Sequence, residues 1–139
     1  MRFMLFVHPA PAVREEGNWE PDVETVSAMN RFNEEPAAAG VVLALDGLHP
    51  DSKGARVRFQ GGKGTVTDGP FTEAKEIVGG YWLLQVRSKE EAVEWASRAP
   101  MADGDMIEVR QVYELEDFSP EVQAAAEMSE LPPQQTSAN

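Results

Sequence analysis

The first eight residues set the strongest constraint on the fold. Phe3, Leu5 and Val7 alternate with Met4, Phe6 and His8. This reads as a strand with apolar side chains on both faces, which belongs at the centre of a sheet with cover on each side. The rest of the chain must supply strands to flank it and elements to cover it.

The order of later segments meets that demand. Pro9, Pro11 and Gly17 mark a loop. Pro21 suits a first helical position, with Asp22 and Glu24 near the positive helix end. Val23, Val26, Met29 and Phe32 recur at three-residue steps, so a helix is predicted over 21–35, ended by Pro36 and Gly40. Residues 41–45 form a continuous apolar run and read as the second strand. Residues 56–59 and 64–67 flank Gly61-Gly62 and read as an inserted β-hairpin. The run 81–86 is the third core strand. Ser88 and Glu91 make a capping-box pattern at the start of a second helix, which Pro100 stops. The fourth core strand is predicted over 106–115, with Ile107, Val109, Tyr113 and Leu115 on one face. A short helix is predicted over 122–131. The order is β-α-β-(hairpin)-β-α-β. It predicts an α+β, ferredoxin-like βαββαβ antiparallel sheet with both helices on one face. The other face, with Phe6 and Trp82 assigned to it, needs cover, so a homodimer of the dimeric α/β-barrel type is expected.

Composition narrows the function classes. There is no cysteine, which removes disulfides and thiolate chemistry. The net charge is -12. Residues 1–113 hold 18 acidic and 12 basic side chains, while the stretch from Glu114 onward holds six acids and no base. A domain is therefore expected over 1–117 and an acidic, partly disordered tail over 118–139, the tail being the place to receive a basic protein partner. Phosphate backbones repel such a chain, and Arg56, Arg58 and Lys63 are its only basic cluster, so no nucleic-acid partner is expected. No stretch approaches the ~20 apolar residues of a membrane span, and residues 1–8 are too short for a signal peptide. A cytoplasmic protein is expected.

Topology also locates a site. The ends of the first two strands meet the starts of the last two. One edge then gathers His8, Asp46, His49, Asp68, Tyr81, Asp105 and Glu108. Imidazole and carboxylate together suit proton transfer. The candidate catalytic residues are Asp68, His8 and His49. Tyr81, Glu108, Arg110, Trp82 and Phe6 are the candidate ligand contacts. No HxxxH or HExxH spacing occurs, so no metal site and no cofactor are expected. Asp68 has a second reading as a turn brace for the Gly-Pro that follows, and Glu73, Lys75 and Glu76 read as a solvated loop face.

Residues 68–76, Asp-Gly-Pro-Phe-Thr-Glu-Ala-Lys-Glu, resemble the DGPFxExKE signature of the DGPF-type branch of the YCII-related family. Gly47-Leu48-His49-Pro50, Gly79-Gly80-Tyr81 and Glu108-Val109-Arg110-Gln111-Val112 resemble its flanking motifs, with Gln111 where proline is usual. The resemblance covers residues 1 to about 117. It implies a dimeric ferredoxin-like fold, a bacterial source and a setting near sigma-factor regulation. Other members pair an aspartate with a histidine at the start of the first helix. Here that helix has no histidine, which leaves His8 and His49 to pair with Asp68. Two functions follow as expectations: a small acid–base enzyme, lyase or hydrolase, on a small organic molecule, or a non-catalytic small-ligand-binding or regulatory module.

Overall fold

A computed structural model describes residues 1–15 and 20–127. In chain order the elements are β1 (Arg2–His8), α1 (Pro11–Glu15), α2 (Val23–Ala38), β2 (Val42–Gly47), β3 (Ala55–Gln60), β4 (Lys63–Asp68), β5 (Gly80–Gln85), α3 (Lys89–Ser97), β6 (Met106–Gln111) and α4 (Pro120–Glu127), with 3-10 turns at Asp51–Lys53 and Leu115–Asp117. The fold is α+β. A four-stranded sheet has the order β2-β5-β1-β6, and β3 and β4 form a separate two-stranded sheet. β1 pairs antiparallel with β5 and β6, and β2 pairs antiparallel with β5. Thus β1 and β2 run one way, and β5 and β6 the other.

Cross-strand register decides the two faces, because directly opposed residues point to the same side. Phe3 lies opposite Leu84, and Leu5 lies between Trp82 and Val109. This face is the core: Phe3, Leu5, Trp82 and Leu84 are buried, with Met29 and Phe32 of α2 and Trp95, Ala96 and Ala99 beyond them packed against it. The opposite face carries Met4 against Leu83 and Phe6 against Tyr81, all half-buried. Trp82 therefore does not share a face with Phe6, as the sequence reading had it. It alternates with Tyr81 and turns toward α2, where its indole donates to Asn33 Oδ1 at 2.9 Å and meets Phe32 edge-on at 5.8 Å.

Several boundaries differ from expectation for local reasons. The helix begins after Asp22, not at Pro21, because the Asp22 carboxylate accepts from the Thr25 amide. That hydrogen bond holds the Asp22 carboxyl below the usual carboxylate range. The helix also runs through Pro36 to Ala38. Pro36 is fully buried, beside Leu5, Phe32, Trp82 and Trp95, and that burial offsets the amide bond it cannot make. Gly40, at φ +73°, then reverses the chain. Residues 11–15 form a short helix inside the expected loop. At α3 the Ser88 hydroxyl caps the Glu91 amide as expected, while Glu91 reaches one residue further back, to the Arg87 amide.

β6 stops at Gln111, so Tyr113 and Leu115 leave the strand. Tyr113 stacks on Phe118 instead, and Arg2 makes a two-pronged bond to Glu114 that ties this segment back to β1. Against the helix expected over 122–131, α4 begins at Pro120; residues 128–139 and the disorder expected there lie outside the described residues. Among the described residues no helix is long and apolar enough to cross a membrane. The hairpin aligns Val57 with Val66, and Phe59 with Gly64, on one exposed face.

Leu84 is 2% exposed and Val93 44%. Leu84→Ala should lower unfolding free energy by about 2–5 kcal/mol, and Val93→Ala should stay within about 0.5 kcal/mol, both read by urea denaturation. Equal effects would contradict this placement of the core.

Candidate functional site

His8 closes β1 and is 9% exposed. Neither ring nitrogen makes a hydrogen bond among the described residues. A buried imidazole without partners is costly, so the ring is held in place by its surroundings. In the sheet His8 lies opposite Met106, and Glu108 lies opposite Phe6, which makes His8 and Glu108 diagonal neighbours on one face. Glu108 Oε1 stands 3.4 Å from His8 Nε2. Its other oxygen accepts from Arg110 Nη1 at 3.2 Å. Asp105 braces the strand ends that meet here: one carboxylate oxygen accepts from the Ala10 amide at 2.8 Å, the other from the Ala102 amide at 2.9 Å.

A further carboxylate arrives from the loop between β4 and β5. Glu76 is exposed, and its carboxylate lies within 4.8 Å of ligand atoms of both His8 and Glu108. The loop's path is fixed at its two ends. At the start, Gly69 passes so close to the chain that a Cβ there would fall 1.7 Å from the Asp51 carbonyl oxygen. Asp51 Oδ2 accepts from the Phe71 amide at 2.7 Å, and the Arg56 guanidinium covers the buried Phe71 ring at 4.1 Å. In the middle, Arg14 of α1 donates to the carbonyls of Ala74 and Lys75, both at 2.6 Å. At the end, the Gly79 amide donates to the Val7 carbonyl at 2.7 Å, one residue from His8.

Asp46, Tyr81, Phe6 and Glu108 form one row across all four strands. The Tyr81 hydroxyl donates to Asp46 Oδ2 at 3.1 Å. Loss of that bond on ionisation, and the carboxylate charge beside it, push the Tyr81 phenol above its ordinary value. Trp82 turns to the other face but borders, with Tyr81, Asp46 and Asn33, a cavity of about 160 Å³.

The expected edge cluster is therefore split. The structure joins His8 to Glu108, with Arg110 behind and Phe6 and Tyr81 alongside. It does not join Asp68 or His49 to them. Asp68 ends β4, is exposed, and its carboxylate has no hydrogen bond or ion pair among the described residues. The turn brace is Asp51 and not Asp68, because the hairpin base folds over the Asp51–Lys53 turn. His49 is exposed and makes no such contact either. The residues missed were Asp51, Arg14 and the role of Glu76. Of these only Glu76 carries a sequence signal, its place in the run 68–76, and the mixed charges of Glu73 and Lys75 beside it read as a solvated face. A cavity of about 530 Å³ lies between α1, Pro50–Ser52 and the 70–75 loop, and none of His8, Glu76 or Glu108 lines it.

In a Tyr113→Phe background, absorbance titration should show the Tyr81 phenol ionising above the ordinary ~10, and Asp46→Asn should bring it down. An unchanged titration would remove the Tyr81–Asp46 bond from the site.

Comparisons with known proteins place the chain. A family model described as YCII-related domain matches residues 1–116. An uncharacterized protein of Rhizobium meliloti (strain 1021) is 30% identical over 77 residues, which is 55% of this chain and 62% of that relative. The match thus spans less than two thirds of the relative's length. The family match takes in β1, the loop between β4 and β5, and β6, and with them every residue of the His8 centre: the chain belongs to the YCII-related domain family.

Proposed function

We propose that this protein is a small acid–base enzyme, a lyase or hydrolase acting on a small organic molecule. The observation that carries this reading is His8: a ring nine-tenths buried, with both nitrogens unused by the fold, beside the Glu108 carboxylate. Burying an imidazole without partners brings the fold no stability. Groups kept in that condition are available for chemistry. Glu108 orients the ring and Arg110 anchors Glu108. Glu76 supplies a second carboxylate at the mouth. Phe6 and Tyr81 form the floor against which an organic substrate is positioned.

In this reading the protein is a DGPF-type member with a ferredoxin-like domain and works in the cytoplasm. The strand order β2-β5-β1-β6 supports the fold assignment. The protein is further proposed to work as a homodimer. Met4, Phe6 and Leu83, half-buried on the face away from α2 and α3, are the surface a second copy would cover.

A specific observation favours a second reading, a non-catalytic ligand-binding module. The cavity of about 530 Å³ falls in the range of small-molecule sites and excludes His8. A metabolite bound there would raise the melting temperature with concentration, and Arg14→Ala would remove the effect while His8→Gln would not.

The enzymatic reading is tested on a panel of small esters, lactones and halogenated or hydroxylated aromatics. Turnover found there should fall by about 10²–10⁴ in His8→Gln, while Asp68→Asn and His49→Gln stay near wild type. A folded protein inactive on the whole panel, or one indifferent to His8, would favour the ligand-binding reading. For the dimer, light scattering should give twice the chain mass, with a shift to monomer in Leu83→Glu. A wild-type monomer would remove it.

A further inference from the structure

We infer that His8, Glu108 and Glu76 together form a binding site for a divalent first-row cation of the Zn²⁺, Mn²⁺ or Fe²⁺ class. This deepens the reading of the His8 centre as the working end of the molecule and rests on it for function, but not for binding.

Three observations converge. One ligand atom from each of the three side chains lies within 4.8 Å of the others. The His8 ring is nine-tenths buried, its nitrogens are unpartnered, and Nε2 is turned toward the carboxylate. The 3.4 Å between His8 Nε2 and Glu108 Oε1 does not make a hydrogen bond. It does match one edge of a tetrahedron: ligands held at ~2.0–2.1 Å from a central ion stand ~3.3–3.4 Å apart. An imidazole–carboxylate pair at this spacing, with no hydrogen bond between them, can serve as two ligands of one ion.

The donor set selects the ion. One imidazole and two carboxylates give borderline and hard donors with no thiolate, which suits Zn²⁺, Mn²⁺ or Fe²⁺ and disfavours Cu(I). With neutral imidazole, the two carboxylates carry two negative charges, which a divalent ion neutralises. The surrounding shell is also in place. Arg110 holds Glu108 Oε2, which fixes the carboxylate and leaves Oε1 for the ion. The Gly79–Val7 bond and the Arg14 clamp on residues 74–75 hold the loop that presents Glu76.

Three protein ligands, one of them exposed, leave a coordination position open to solvent, the pattern of catalytic rather than structural ions. An ion held there by His8, Glu108 and Glu76 would supply Lewis-acid chemistry and, in the case of Zn²⁺, acidify a bound water. The sequence reading expected no metal because the ligands come from β1, β6 and a loop, with no local spacing to reveal them.

The experiment is titration calorimetry of chelator-treated protein with Zn²⁺ and Mn²⁺, together with the visible spectrum of the Co²⁺ form. Binding should be one ion per chain. His8→Gln, Glu108→Gln and Glu76→Gln should each weaken it by more than the ~10–100-fold that loss of an outer-shell partner costs. Glu73→Gln, an exposed acid in the same loop, should leave it unchanged. Glu76 is exposed, so its variant should fold and keep the test open if His8→Gln does not. No binding by the wild type, or equal binding by wild type and Glu76→Gln, would overturn the inference. Binding without turnover on the substrate panel would overturn the enzymatic reading alone, and turnover in metal-free protein would overturn the role of the ion alone.

Discussion

The pairing register of β1 governs the rest of the molecule. β1 is hydrogen-bonded on both edges, to β5 and β6, so each of its side chains is committed to one face. Phe3 and Leu5 enter the core beneath α2 and α3. Met4, Phe6 and His8 go to the other side. A slip of one residue would exchange the two sets, exposing Phe3 and Leu5 and driving His8 under the helices. The apolar demand of Phe3, Leu5, Trp82 and Leu84 therefore fixes where His8 stands. The site is a consequence of core packing, with no local motif of its own.

The same register brings Glu108 to His8. On one face of an antiparallel pair, diagonal neighbours are within reach of long side chains. Glu108 and Arg110, two residues apart on β6, share that face and bond to each other. The loop between β4 and β5 then closes over the end of β1. Gly69, Asp51, Phe71 and Arg56 make its anchor. Their work explains the residue types in that run: a glycine where there is no room for Cβ, and an aromatic ring that docks and is covered by a cation. Farther along the loop, Arg14 and the Gly79–Val7 bond hold the segment that brings the Glu76 carboxylate near His8 and Glu108.

Asp68 and His49 show where reasoning from topology loses resolution. Topology names an edge of the sheet, and an edge is many ångströms wide. Asp68 belongs to the hairpin, which forms a separate two-stranded sheet, and there it pairs with Ala55. His49 lies two residues past Gly47, where β2 ends, and is exposed. Trp82 failed for a different reason. In a strand apolar on both faces, hydrophobicity does not say which face a residue takes, and only its partner across the ladder does.

The sequence alone determined the kinds and order of the strands and of the two long helices, though not the short helix at Pro11–Glu15. Alternation, turn glycines and the Ser88 cap are local properties, and local energetics settle them. It determined the α+β class and the family for the same reason, since those rest on patterns contiguous in the chain. The tertiary structure decided what depends on distant residues meeting: the face of Trp82, the continuation of α2 through a buried Pro36, and the replacement of Asp68 by Asp51 as the brace. It also decided the site. His8, Glu76 and Glu108 are far apart in the chain and meet only because strand register and a braced loop bring them within ligand distance of one another.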